Sequence, residues 1–261
     1  MFLRGGSLLG YINSKKYVFN DINPHIISLV EFLYKEDEIK ILNSIEKIIS
    51  EYKLFLEIEN NKKQINKENY NLLKKHYNQI INKNQYKAKV MLLTLVFLGF
   101  NSQIRFNKKN EFNIPAGKQE FNINRKRIFL DYVSKIKHKT VQFTNNDFKF
   151  IYKLLENDEI DKNAFFYFDP PYLITNATYN NIWSNKEEND LLNLLEELNN
   201  RKIKWALSNV FYSNGKNNMN LINWSKKYNV YYLDKTYKYS NYQRKNIGKD
   251  VEVLITNYEE R

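Results

Sequence analysis

The run Ala164-Phe165-Phe166-Tyr167-Phe168, followed at once by Asp169-Pro170-Pro171-Tyr172, constrains the fold more than any other stretch of this chain. Consecutive apolar and aromatic residues predict a buried strand, and the two prolines fix where it stops, since proline donates no ladder hydrogen bond. Ligands of open α/β sheets sit at that carboxyl end. The turn predicted there holds the Asp169 carboxylate, the Pro170 carbonyl and the Tyr172 ring around one small space. Two acceptors beside an aromatic face suit a planar group with an exocyclic amine, which donates two protons while its ring stacks. That is a nucleobase pocket, and it calls for no metal. For Asp-Pro alone, a proline-stopped strand with a solvated acid is the better reading; the four-residue turn favours the pocket.

Elements that could surround such a strand are legible on both sides of it. Gly5 and Gly6 stand directly before an apolar helical start, a weak motif for backbone approach to a ligand and equally a plain turn. The strand Tyr17–Asn20 ends at Asp21, and Asn23-Pro24 opens a helix through about Tyr34. An acid there binds ribose hydroxyls or caps the helix, and both readings stay open. From Lys35 to about Lys89 the spacing predicts helices with solvated Lys- and Asn-rich faces, and Val90–Leu98 predicts a buried helix. Thr140–Phe143 resumes a strand. Asp147 after it could hold an adenine moiety or cap a helix. Ser184 and Glu187 form a capping box, and the helix behind them buries Leu191, Leu192, Leu195 and Leu198. A strand Ile203–Val210, a helix near Trp224 and a strand near Val230 continue the alternation. Val251–Thr256 then joins the sheet antiparallel to its neighbour.

Between the predicted helices and Thr140 the chain changes character. Arg105-Phe106-Asn107, a turn at Lys108-Lys109-Asn110, and Phe112-Asn113-Ile114-Pro115-Ala116-Gly117-Lys118 predict a hairpin or irregular loop with a basic, amide-rich, aromatic tip. Such side chains suit DNA: cations for phosphate or guanine, Asn for adenine, an aromatic ring as a wedge. Three of the seven arginines, Arg105, Arg125 and Arg127, fall here, which points to bidentate recognition. The charge balance agrees, with 41 Lys and Arg against 29 acids and a net charge of +12, and it favours a nucleic-acid partner over a membrane. A second basic and tyrosine-rich stretch, Lys235–Lys249, is a solvated loop or a further contact. With no cysteine, disulfides and thiolate metal sites are excluded, and His25, His76 and His138 have no metal-ligand spacing. No signal peptide or membrane-length apolar run is visible, so a cytoplasmic protein of a bacterial or phage-infected cell is expected.

Taken in order, these segments resemble the Dam-type, D12 class (alpha group) N6-adenine-specific DNA methyltransferases. The resemblance rests on Phe2-Leu3-Arg4-Gly5-Gly6-Ser7, Asn20-Asp21-Ile22-Asn23, the Arg105–Gly117 hairpin and Asp169-Pro170-Pro171-Tyr172. It is extended by Tyr179-Asn180, Ser208-Asn209 and the closing Glu252–Tyr258. It implies an α/β fold: a Rossmann-like S-adenosylmethionine-dependent methyltransferase sheet, residues 1–36 and 138–261, with a mainly helical target-recognition insertion, residues 37–137. It implies catalysis by Asp169, Pro170, Pro171 and Tyr172. Cofactor contacts would come from Phe2, Gly5, Gly6, Asp21, Asp147, Phe148 and Asp169. Double-stranded DNA would be contacted by Arg105, Phe106, Asn107, Asn113, Pro115 and Lys118. The implied reaction is methyl transfer from S-adenosylmethionine to N6 of a flipped adenine, without a metal.

Two departures bear on this. The family pattern begins with a Trp- and Lys-containing segment and a strand, whereas this chain opens at the glycine motif; and Arg4 stands where its first glycine usually lies. The expectation is a chain shortened at its N-terminus, with impaired cofactor binding. It would be a monomer whose exposed sheet edge is open to self-association. A catalytically silent DNA-binding remnant is the alternative. Methylation of a protein or RNA amine would share the catalytic turn but leave the basic hairpin unexplained.

Overall fold

The computed structural model describes residues 7–59, 62–175, 183–233 and 250–259, which form a mixed α/β structure. The chain divides into two compact units, residues 1–147 and 148–261, and the described residues of each enclose a hydrophobic cluster. Phe2, Gly5, Gly6, Tyr179-Asn180 and the Lys235–Lys249 stretch lie outside the described residues.

The first unit is built on a helix. After a 3-10 turn, Ser7–Gly10, come β1 (Tyr17–Asn20), α1 (Pro24–Lys35) and α2 (Glu38–Glu51). A hairpin follows, β2 (Leu56–Glu59) and β3 (Lys62–Ile65), and then α3 (Lys67–Gln79) and α4 (Tyr86–Leu98). The last elements of the unit are α5 (Ile123–Lys137) and β4 (Val141–Thr144). α4 buries every side chain from Ala88 to Leu98, Lys89 and Thr94 included, and so contains the buried helix that the sequence predicts at Val90–Leu98. Packed against it are α1, α2 and α3, which present single apolar faces such as Ile41, Ile45 and Ile48 on α2. Amides that look like compositional bias have local work: Asn23, Asn66 and Asn122 each accept a backbone hydrogen bond at a helix N-cap.

Here the structure corrects the wholly helical reading of residues 35–89. α2 ends at Glu51; Lys53 takes a left-handed conformation (φ 50°), and β2 and β3 pair antiparallel, with Leu56 opposite Ile65. Phe55, which lies within the stretch read as helical, is solvent-exposed.

In the second unit, α6 (Phe150–Glu156) and β5 (Phe165–Phe168) precede α7 (Asn185–Asn200), which carries the predicted capping box at Ser184 and Glu187. Then come β6 (Lys204–Ser213), β7 (Lys216–Asn217), α8 (Met219–Ser225), β8 (Asn229–Leu233) and β9 (Val251–Thr256). The sheet runs β5-β6-β9-β8. β5 is parallel to β6, and β9 is antiparallel to both its neighbours, as expected. β7 folds back on β6 through Asn214 and Gly215, both at positive φ (53° and 82°), which is the demand of a tight two-residue hairpin and the reason Asn-Gly stands there.

Candidate active site and nucleic-acid interface

The strand that leads into Asp169 is not the fully buried one its composition predicts. Among the described residues β5 pairs with β6 alone, so it is an edge strand; Phe165 is 42% exposed, and full burial is reached only at Phe168. An apolar run states what a strand is made of, and not how many neighbours it has. The parallel register sets Phe168 opposite Leu207, so β5 ends, and Asp169 follows, beside the middle of the longer β6, where Ser208 comes next after Leu207.

Across that end the Tyr172 hydroxyl lies 2.9 Å from Ser208 Oγ. The Tyr172 carbonyl accepts from the Thr175 amide (3.1 Å) and the Thr175 hydroxyl (2.9 Å), which closes the turn after the prolines. Asp169 is exposed, and Pro170, Pro171 and Tyr172 are half-buried. The turn thus offers a carboxylate to solvent beside a ring anchored at its far tip. Next to Ser208 on β6 lies Asn209, buried and part of a network that sequence spacing does not reveal. Glu188 of α7 accepts from Asn218 Nδ2 at 2.9 and 3.2 Å, while Asn218 Oδ1 caps α8 by accepting from the Leu221 amide. Burial pushes the Glu188 carboxyl above its ordinary range, opposed by hydrogen bonds from Asn218 and Asn209.

In the first unit the expected nucleoside-binding acids come from neighbouring strands. β1 and β4 are parallel, with Asn20 opposite Thr144. Beyond that pair, Asn20 Nδ2 donates to the Asn146 carbonyl (2.9 Å) and Asn20 Oδ1 accepts from the Asn146 amide (3.0 Å). Asn145 Nδ2 donates to the Asp21 carbonyl (2.7 Å). Asp21 and Asp147 therefore follow segments stitched to each other at one sheet end. Asn23 rather than Asp21 caps α1, and Asp21 Oδ1 accepts from the Asn23 amide (2.7 Å), while Lys149 holds the N-cap position of α6. Phe148 belongs to the second unit, its ring 5.9 Å from that of Trp183.

The predicted hairpin is present and is held from several directions. Gly99 bridges Ala116 and Phe106 bridges Phe112, both antiparallel. Asn107 shapes the tip by accepting from the Lys109 and Glu111 amides (2.9 and 3.0 Å) and donating to the Glu111 carboxylate (2.8 Å). Arg105 Nε donates to Asn113 Oδ1 (2.7 Å) and Nη2 to the Asn113 carbonyl (3.1 Å), so these two expected DNA contacts also brace the hairpin arms. Lys108, Lys109, Asn110, Pro115 and Lys118 are exposed. Arg125 is different: its guanidinium donates inward to the Phe97 carbonyl, Ser102 and Gln119, and so it is not one of a trio of recognition arginines.

Two supports of the hairpin escape a sequence reading. Asn78 of α3 donates to the Phe112 carbonyl (3.1 Å) and accepts from the Phe112 amide (2.9 Å), standing in for a strand partner. His25 of α1 stacks on Phe106, with centroids 3.8 Å apart and planes at 15°. Both partners lie far away along the chain, and no local spacing signals them.

Comparison with known proteins agrees with this geometry. A family model described as D12 class N6 adenine-specific DNA methyltransferase matches residues 1–239, and the chain belongs to that family. It is 35% identical over 266 residues to Modification methylase StsI of Streptococcus sanguinis, covering 98% of this chain and 38% of that protein. It is 32% identical over 263 residues to Type II methyltransferase M.FokI of Planomicrobium okeanokoites, covering 97% of this chain and 38% of the relative. Modification methylase LlaI of Lactococcus lactis subsp. lactis is 30% identical over 251 residues, 93% of this chain and 36% of the relative. The chain thus spans well under half the length of these relatives. Among the described residues no helix is long and apolar enough to cross a membrane, and no group of three or more His, Asp or Glu is placed to hold a metal ion.

Proposed function

We propose that this chain transfers a methyl group from S-adenosylmethionine to N6 of an adenine flipped out of a specific double-stranded DNA sequence, in a restriction-modification setting. The observation that carries the reading is the Asp169–Tyr172 turn at the end of a parallel strand, with the Tyr172 ring anchored through Ser208 beside an exposed carboxylate. The domain assignment that goes with it is a catalytic part, residues 1–36 and 138–261, with a Rossmann-like sheet, and a recognition insertion, residues 37–137. The protein acts as a cytoplasmic monomer.

The residues suit the cofactor. Carboxylates and amides at the ends of parallel β1 and β4 match the hydroxyls and amine of a nucleoside, so Asp21 and Asp147 would hold it, with Phe148 against its adenine and Phe2, Gly5 and Gly6 along its backbone-facing side. When bound, S-adenosylmethionine supplies an electrophilic methyl group. Asp169 and the Pro170 carbonyl accept the two protons of the target amine, which turns the nitrogen lone pair toward that methyl, and Pro171 keeps the two acceptors apart. Tyr172 stacks on the purine. As the new carbon–nitrogen bond forms and the methyl carbon–sulfur bond of the donor breaks, leaving a neutral thioether, Asp169 would stabilise the developing positive charge and receive the proton that leaves N6. Positioning and a fixed polar environment account for the acceleration. Arg105, Phe106, Asn107, Asn113, Pro115 and Lys118 would face the duplex, Phe106 as the wedge.

Labelled methyl transfer to unmethylated genomic DNA tests this. Incorporation by the wild type and not by Asp169→Ala is expected; equal incorporation by both would remove Asp169 from the chemistry.

A further inference from the structure

His25 has two partners at the recognition hairpin and a third on its own loop. Its ring stacks on Phe106, and Nε2 lies 2.7 Å from Asn110 Oδ1, at the exposed end of the tip turn. Because an amide oxygen only accepts, Nε2 carries the proton in this pairing. On the other side, the His25 amide donates to Asn23 Oδ1 (2.9 Å), and the Asn23 amide donates to Asp21 Oδ1 (2.7 Å). A short path of contacts therefore runs from Asp21 through Asn23 and His25 to Phe106 and the hairpin tip, entirely within the first unit. Beyond Phe106 it continues into the core, since Phe106 meets Phe112 edge-on at 5.8 Å and Phe112 meets Tyr77 at 6.3 Å. Phe112 is buried, so that end is fixed. The His25 end is half-buried and sits on the first turn of α1, where the loop from Asp21 decides its place.

We propose that His25 is a positioning residue that couples the Asp21 loop to the recognition hairpin, so that ordering this loop around a nucleoside ribose sets the Phe106 ring and the tip turn for DNA. The proposal rests on the methyltransferase reading, which places the cofactor at Asp21 and the duplex at the hairpin. A ligand that fixes Asp21 fixes the Asn23 amide, and through it the start of α1 and the ring against which Phe106 lies. Coupling of this kind is reciprocal: DNA at the hairpin tightens binding at the loop by the same factor.

The test is filter binding of labelled, unmethylated genomic duplex fragments with and without saturating S-adenosylhomocysteine. The expected result is that the wild type binds DNA about fivefold tighter or more in its presence, and that His25→Ala reduces this gain to less than about twofold. Asn110→Gly guards against a folding defect. It removes the same hydrogen bond from an exposed position with φ of 60°, which glycine accepts without strain, and it too is expected to shrink the gain. A merely structural role for His25 would weaken binding with and without the ligand equally and leave the ratio intact. Wild-type gain retained in both variants, or a wild type that binds both ligands with no gain, overturns the proposal. A wild type that binds neither ligand and transfers no methyl group overturns the methyltransferase reading, and the coupling with it.

Discussion

Tyr172 is held at two places, its hydroxyl by Ser208 and its carbonyl by Thr175, and substitution separates what each does. Tyr172→Phe keeps the ring and loses one half-buried hydrogen bond, a cost of about 1 kcal/mol. Tyr172→Ala removes the face on which the base stacks, which is worth about 1–3 kcal/mol per base, or roughly a 5- to 150-fold loss. Methyl transfer by the Phe variant is therefore expected to stay within about tenfold of wild type, with the Ala variant well below it. Equal rates for the two variants would remove stacking from the mechanism. Glu188 gives a residue-scale prediction of another kind. Its folded form keeps a proton to higher pH than the unfolded chain does, so the native state binds more protons across that interval. Its contribution is thus most favourable below the ordinary glutamate range and is lost as pH climbs through the raised value. Melting temperatures measured across the weakly acidic range are expected to show this decline in the wild type and not in Glu188→Gln. Parallel profiles would refute the assignment.

Among elements, the hairpin proposed to meet DNA depends most on positions that carry no chemistry. Its base crosses the end of α4 where Gly117 donates to the Leu98 carbonyl (2.7 Å), and a Cβ at Gly117 would lie 2.6 Å from the Gly99 oxygen. Backbone has no room to yield there, so Gly117→Ala is expected to destabilise by about 1–3 kcal/mol, read as a lowered denaturation midpoint. An unchanged midpoint would show that the crossing relaxes freely. Asn78→Ala leaves the Phe112 amide and carbonyl without their side-chain partner, with a similar or larger expected loss. Elements were legible where their signals are local. The Ser184–Glu187 capping box and the largely apolar run Val90–Leu98 of α4 needed no distant partner to be read. β2 and β3 were hidden because their residues, Leu56-Glu57-Ile58-Glu59 and Lys62–Ile65, sit amid helix-favouring Lys and Glu, and only their pairing makes them strands. The candidate site divides the same way. Asp169–Tyr172 announces itself by composition, whereas His25, Asn78 and Glu188 acquire their roles from partners that only folding brings near.

For the whole molecule, the proposed reading together with a net charge of +12 predicts binding to duplex DNA that weakens steeply with salt, because each neutralised phosphate releases a counterion. Replacing exposed Lys108 and Lys109 by Ala is expected to lower the slope of log affinity against log salt by about one per phosphate contact removed. A slope identical to wild type would take the tip lysines off the backbone of the duplex. The manner in which the hairpin is mounted has a further consequence. Its arms are fastened to α3 and to the end of α4 through backbone groups of Phe112 and Gly117, and those bonds are indifferent to what stands at residues 108 and 109. Mount and grip are therefore separate, but mount and text are not. On the proposed reading, the hold on the phosphates is free to drift by changes at residues 108 and 109, whereas a change in the bases read falls on Arg105, Asn107 or Asn113, which also brace the hairpin, so that a new recognition specificity has to be a new brace as well.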